Sequence, residues 1–112
     1  MSNNKEVFKI HAEFCKLMGN PIRIEILFLL GKKEMCVDEM ASEMKLRIPN
    51  ISQHLAIMRN KGVVDVRREA TKMYYKLANP KILQACTMIR EVMIEQMEKK
   101  FNMVKYTDGS EG

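Results

Sequence analysis

The sequence predicts a mainly α-helical protein with one small β-hairpin, and three observations support this prediction. The chain has 112 residues, a length typical of a single domain with one hydrophobic core. Along most of the chain, apolar residues recur at the spacing of amphipathic helices. Only across residues 63–77 does the pattern become that of β-strands, with β-branched and aromatic residues in two short runs.

The first two predicted helices are separated by a clear start signal. The first spans residues 5–18 and ends at Gly19. Its apolar stripe consists of Val7, Ile10, Phe14 and Leu17. Asn20 then has the side chain of a helix N-cap, and Pro21 follows at the first helical position, where its missing N–H costs nothing. The helix that they begin is apolar nearly all round until Gly31, so we expect it to form the buried centre.

Two further helices follow in close succession. A short one is predicted within residues 36–44, and a longer one runs from Ile48 to about Asn60. Pro49 can lie only near the start of a helix, and Gly62 supplies the stop at the C-terminal end. Because a tight turn joins them, the pair has the arrangement of a helix-turn-helix, whose second helix enters the major groove of DNA.

A basic hairpin follows this pair directly. Its strands are predicted at residues 63–67 and 73–77, joined by polar residues 69–72. A helix-turn-helix followed by such a hairpin is a winged helix-turn-helix, here with five helices and the hairpin between the fourth and the fifth. Residues 45–76 contain eight basic and two acidic side chains, a net charge of +6, whereas the whole chain carries +5. An excess confined to one segment indicates a surface for a polyanion, nucleic acid above all, although a solvated basic face is the alternative.

The last predicted helix begins as the second one does. Asn79 and Pro80 repeat the pattern of cap and proline. The apolar stripe of this helix contains Ile82, Ala85, Ile89 and Val92. We expect residues 1–104 to form one domain and the polar residues 105–112 to be a disordered tail.

The outward side of the helix at residues 48–60, which we call the recognition helix, has an unusual composition. Ile51, Leu55 and Met58 should face inward, and the other side offers amides, a hydroxyl, an imidazole and basic groups without any acid. Such groups can donate to and accept from base edges, while basic groups contact phosphates. The predicted DNA-binding residues are Asn50, Ser52, Gln53, His54, Arg59 and Lys61, with Arg67, Arg68 and Lys72 from the hairpin.

Residues 17–78 resemble the ArsR/SmtB family of metal- and thiol-responsive repressors. The matching stretches are "LMGNPIRIEILFLL", "EMCVDEMA" and "ISQHLAIMRNKGVVDVRREATKMYYKL", followed by the proline-started last helix. The resemblance implies a homodimer that pairs through its first and last helices, binds a palindromic operator and is released by an inducer. One residue departs from the pattern, because Arg47 stands where the family usually has a Ser or Thr cap for the recognition helix.

Cys36 is the best single candidate for a sensing residue or metal ligand. The family's arsenic site has a Cys-Val-Cys on the short helix, and this chain keeps the first thiol as Cys36 but has Asp38 in place of the second. A thiol at a helix N-terminus favours the reactive thiolate. The alternative is that Cys36 is simply a small residue at a helix start. The family's zinc or cobalt site on the last helix is not expected, because that helix contains no histidine.

Cys15 and Cys86 are further candidates, although buried packing is the commoner role of a free cysteine. They lie on the apolar faces of the first and last helices, where they could serve as core residues or as a thiol pair. No cofactor is assigned with certainty. A thiophilic metal, a metalloid ion, or a redox or sulfur signal are the candidate effectors.

Several other classes of function find no support in the sequence. No phosphate-binding loop or nucleophile motif indicates an enzyme. No apolar run is long enough for a membrane helix and no secretion signal is visible, so we expect a cytoplasmic protein. The alternative to a DNA-binding repressor is a winged helix that binds another protein, since a fold does not fix a function.

Overall fold

The computed structural model describes residues 4–111, with side chains for residues 4–103. In chain order the elements are α1 (Asn4–Met18), α2 (Pro21–Leu30), β1 (Met35–Cys36), α3 (Val37–Met44), α4 (Ile48–Asn60), β2 (Val64–Glu69), β3 (Lys72–Leu77) and α5 (Lys81–Glu111). By its internal contacts the chain divides into two compact units, Met1–Pro80 and Lys81–Gly112. The single domain expected over residues 1–104 stays a prediction.

The predicted start of α2 and the predicted bounds of the recognition helix are confirmed by the structure. The Asn20 side chain accepts hydrogen bonds from the backbone N–H groups of Ile22, at 2.9 Å, and Arg23, at 3.2 Å. These bonds satisfy two of the four donors that a helix start leaves without partners. The recognition helix is α4, with the predicted bounds, and Gly62 follows it with a φ of 76°.

The core of the first unit lies where α2, α3 and α4 meet. Its fully buried side chains are Ile26, Leu27, Met40, Ile51, Leu55, Met58 and Val64. The three predicted inward positions of α4 are all in this set, so the inward face of the recognition helix is confirmed. Because these positions are fixed by packing, Gln53, which lies between them in the sequence, is held on the outer side of α4.

A three-stranded antiparallel sheet with the order β1-β3-β2 lies beside these helices. The hairpin is confirmed, but its strands are longer than predicted, because Glu69 pairs with Lys72 instead of lying in the connection. The turn contains Ala70 at a φ of 57°, a conformation that the sequence does not indicate because it has neither glycine nor asparagine there. Strand β1, which pairs Met35 with Tyr75, is not predicted by the sequence.

Helix α5 continues through residues 105–111, which the sequence assigns to a disordered tail. No proline interrupts this segment, so nothing in it prevents the backbone hydrogen bonds of the helix from continuing. Residue 112 lies outside the described residues. None of the described helices combines the length and the apolar character needed to cross a bilayer.

Helices α1 and α5 carry most of the large apolar side chains that the chain leaves exposed, and Ile48 and Ile57 of α4 are the others among the described residues. On α1 these are Val7, Phe8, Ile10 and Phe14. On α5 they are Met88, Ile89, Val92, Met93, Ile94, Met97, Phe101 and Met103. Exposed apolar patches of this kind mark surfaces that contact another molecule.

Candidate nucleic-acid interface

The outer side of α4 displays the predicted base-reading groups to different degrees. Asn50, Gln53 and Arg59 are exposed, as is Lys61 just after the helix, whereas Ser52 is only half exposed. No acidic residue occurs in α4. The exposed face can therefore approach a phosphate backbone without repulsion from the helix itself.

His54 differs from its neighbours on α4 because its side chain is hydrogen-bonded to another helix. Its Nδ1 accepts a hydrogen bond from Nε of Arg23 in α2, at 3.2 Å, and its side chain is half-buried. Burial lowers the pKa of His54 below its usual value, and the positive charge of Arg23 lowers it further. His54 is therefore a neutral group with one nitrogen already occupied, and only the other nitrogen is left for a DNA contact.

Arg67 on β2 is also engaged within the protein. Its Nε donates to Oε1 of Glu34 at 2.8 Å, its Nη1 donates to Oε1 of Glu69 at 3.1 Å, and its guanidinium lies 5.0 Å from the centre of the Tyr74 ring. The hydrogen bond with Glu34, and then that with Glu69, raises the pKa of Arg67 above its usual value. The sequence predicts Arg67 as a DNA contact but does not indicate that two acids compete for it.

We define the wing as β2, β3 and their turn. Its other basic residues are exposed. Arg68 and Lys72 are exposed near the turn, as the sequence predicts. Nearer the base of the wing, a concave surface is lined by Arg59, Val64, Asp65, Val66, Arg67 and Lys76. Three of these side chains are basic and one is acidic, which suits an anionic ligand. Lys76 lies in the basic segment but was not singled out from the sequence, since only the fold brings it beside Arg59.

The three cysteines have different environments. Cys36 lies at the start of α3, as predicted, but only 4% of it is exposed, which the sequence did not indicate. Its backbone N–H donates to Oε1 of Glu39 at 2.9 Å, and this bond lowers the pKa of the Glu39 carboxyl. Cys15 is exposed, whereas Cys86 is half-buried, and burial raises the pKa of its thiol. Within the described part of the chain, no three His, Cys, Asp or Glu residues are grouped closely enough to hold a metal ion.

Comparison with known proteins identifies the family. A model of the arsR family of bacterial regulatory proteins matches residues 20–66. The HTH-type transcriptional regulator Rv0081 of Mycobacterium tuberculosis is 36% identical over 91 residues, which cover 80% of each protein. The chain belongs to the ArsR family of transcriptional regulators. The ArsR match begins at the N-cap of α2 and ends within β2, so it includes both Arg23 and the whole of α4.

Solved structures agree with this assignment. The crystal structure of Rv0081 has a TM-score of 0.78 and 34% identity, covering 88% of this chain and 98% of that one. The homodimeric winged helix-turn-helix DNA-binding domain of Mb0332 from Mycobacterium bovis, described as a possible ArsR-family regulator, has a TM-score of 0.74 and 27% identity over 85% of this chain and 89% of its own. The chain is therefore a transcriptional regulator with a winged helix-turn-helix fold.

Proposed function

We propose that this ArsR-family protein is a repressor that binds a palindromic DNA operator as a homodimer. The observation that carries the proposal is α4, whose inward side is fully buried while its outward side offers amides and basic groups without an acid. In each protomer α4 enters the major groove, where Gln53 and Asn50 contact base edges. Arg68 and Lys72 of the wing contact the neighbouring phosphates, which position the protein without reading sequence.

The exposed apolar faces of α1 and α5 support the dimer. Phe8 on α1 is 67% exposed and Ile89 on α5 is 69% exposed, values that are costly for such side chains in an isolated chain. A two-fold dimer covers the same surface on both protomers and places two recognition helices against two half-sites. The homodimeric state stated for the Mb0332 domain is consistent with this arrangement.

The test is a selection from a pool of random duplexes with the purified full chain. We expect an inverted repeat to be enriched and to bind with two chains per duplex. Affinity should fall with salt by about 0.9 in log–log slope for each phosphate neutralised. If the chain enriches no duplex and binds all duplexes equally weakly, the wing and α4 belong to a protein-binding module instead.

We also propose that a thiophilic metal, a metalloid or a redox or sulfur signal releases the DNA through cysteine. Burial of Cys36 means that a ligand can reach it only after local opening of the chain, whereas Cys15 is exposed in a single chain but lies on the α1 face that the proposed dimer covers. Release is measured by titrating the DNA complex with arsenite, cadmium, zinc, copper(I), persulfide and peroxide. Repeating this with Cys15→Ser, Cys36→Ser and Cys86→Ser identifies the sensing thiol, and unchanged release in all three variants would rule out sensing by any single cysteine.

A further inference from the structure

Arg23 joins three helices through one side chain. It is the only basic residue of α2, whose other members are almost all apolar. Its Nε donates to Nδ1 of His54 on α4 at 3.2 Å, and its Nη1 donates to the backbone carbonyl oxygen of Leu17 on α1 at 3.0 Å. The guanidinium therefore connects the recognition helix to the last turn of α1.

The two hydrogen bonds restrict Arg23 in both position and direction. The carbonyl of Leu17 is in the last turn of α1, where carbonyl groups lack partners within the helix and favour a nearby positive charge. A guanidinium is planar and its donors point in fixed directions, so binding one partner orients the donors that remain. The Leu17 contact thus aims Nε of Arg23 at the imidazole of His54.

This contact decides where the imidazole carries its proton. Arginine has donors only, so the Nδ1 atom of His54 must act as the acceptor. A neutral imidazole with an unprotonated Nδ1 has its hydrogen on Nε2. His54 is kept neutral, because burial and the charge of Arg23 both lower its pKa. Its remaining polar atom is therefore an N–H donor.

We propose that Arg23 is a positioning residue for sequence recognition: it fixes the tautomer and orientation of His54 so that α4 presents the Nε2–H to an acceptor on a base edge. This inference rests on the proposed DNA-binding function. Acceptors in the major groove include N7 and O6 of guanine, N7 of adenine and O4 of thymine. Arg23 acts through His54 and makes no base contact of its own.

The first test uses the unaltered full chain without DNA. Nitrogen-15 NMR of the imidazole distinguishes the two neutral tautomers, and His11 on the exposed side of α1 provides an internal comparison. We expect His54 to be the Nε2–H tautomer at neutral pH and His11 to be a mixture. A His54 ring that carries its proton on Nδ1, or that averages between both forms, would overturn the proposal without any substitution.

The second test measures specificity, as the ratio of affinities for the selected duplex and for a scrambled duplex of the same composition. Arg23→Gln should lower this ratio about tenfold, as should His54→Ala, because both remove an oriented donor to a base. The double variant should show no further loss, since both changes break the same contact. Lys32→Gln removes the same charge from the turn after α2 and should leave the ratio unchanged.

The positioning role would be contradicted if Arg23→Gln lowered the affinity for both duplexes equally, or if the losses of specificity in the double variant were additive. If Arg23→Gln does not fold, the imidazole spectrum of the unaltered chain and the ratio for His54→Ala decide the question. If the unaltered chain selects no duplex at all, the proposed function fails, whereas the NMR experiment still decides whether Arg23 fixes the His54 tautomer.

Discussion

Arg67 has two carboxylate partners, Glu34 at 2.8 Å and Glu69 at 3.1 Å, which occupy two of its five N–H donors and offset its positive charge. All three side chains are partly exposed, so the ion pairs are weak and screened by solvent. We therefore expect a DNA phosphate to compete with these carboxylates for Arg67. A small change in the acids should alter how many phosphates the wing neutralises.

Replacing Glu34 with alanine tests this balance. Glu34→Ala should free Arg67 for DNA, so non-specific affinity at low salt should rise and the log–log salt slope should steepen by up to about one unit. The measurement is a salt titration of binding to a random duplex. Glu25→Ala, which removes the same charge from the exposed side of α2, is the matched control. Equal slopes for the two variants would show that Arg67 does not gain a phosphate contact.

Gln53 and Arg68 should separate reading of sequence from attraction to phosphate. Gln53→Ala removes an exposed amide from α4, and we expect it to cost about 1–3 kcal/mol at the selected duplex with little effect on random DNA. Arg68→Ala should instead lower the affinity for both duplexes about equally and make the salt slope shallower. Competition binding with both duplexes measures this difference. Unchanged affinities for Gln53→Ala would mean that this amide does not face a base.

At the scale of elements, the start of α4 is weaker than the start of α2. Asn20 gives α2 two side-chain capping bonds, whereas Arg47 gives α4 none. Pro49 removes one donor from the first turn of α4, and the backbone N–H of Asn50 bonds to the carbonyl of Arg47 at 3.1 Å. The first turn of the recognition helix thus depends on backbone bonds and on packing of Ile51.

Arg47→Ser should supply the missing cap and make the protein more stable than Arg47→Ala. We expect Ser to raise the free energy of unfolding by about 0.5–1 kcal/mol relative to Ala at the same position, because its hydroxyl can accept a bond from an N–H of the first turn. Comparison of Arg47→Ser with Arg47→Ala isolates this effect from the loss of charge. The measurement is denaturant unfolding of both variants at equal protein concentration, and equal stabilities would show that α4 gains nothing from a cap.

The sequence predicts the helices whose ends are marked by residues close to them in the chain. Asn20 with Pro21, and Pro49 with Gly62, define α2 and α4 because caps, prolines and glycines act on the few residues beside them. Strand β1 has only two residues, and its pairing with β3 depends on a distant part of the chain, so no local pattern reveals it. For the same reason the hydrogen bond between Arg23 and His54 was not predicted, although the single basic residue in an apolar helix was a visible hint.

At the scale of the molecule, folding of a single chain does not bury the apolar surfaces of α1 and α5. The predicted stripes are present in both helices, and the structure shows that most of their members remain exposed in one chain. The sequence could predict which residues form these surfaces, since helical periodicity depends on residue order alone. Periodicity cannot tell whether the covering partner is another part of the chain or a second copy.

Substitution of Ile89 tests whether a second copy of the chain covers the apolar surface of α5. A single chain leaves Ile89 exposed, so Ile89→Glu should not disturb its fold, but it should weaken the dimer by at least about 2 kcal/mol because an apolar contact is replaced by a charge. Light scattering at micromolar concentration should then show the monomer mass, with Glu95→Gln on the same helix as a control that stays dimeric. A dimer mass for Ile89→Glu would place the interface elsewhere.

We propose that two recognition helices, one from each chain, hold one inverted repeat. Sedimentation equilibrium of the full chain mixed with the selected duplex tests it most directly, because mass gives the number of chains bound. We expect two chains per duplex and no comparable complex with the scrambled duplex at the same salt concentration. One chain per duplex, or equal masses with both duplexes, would contradict it.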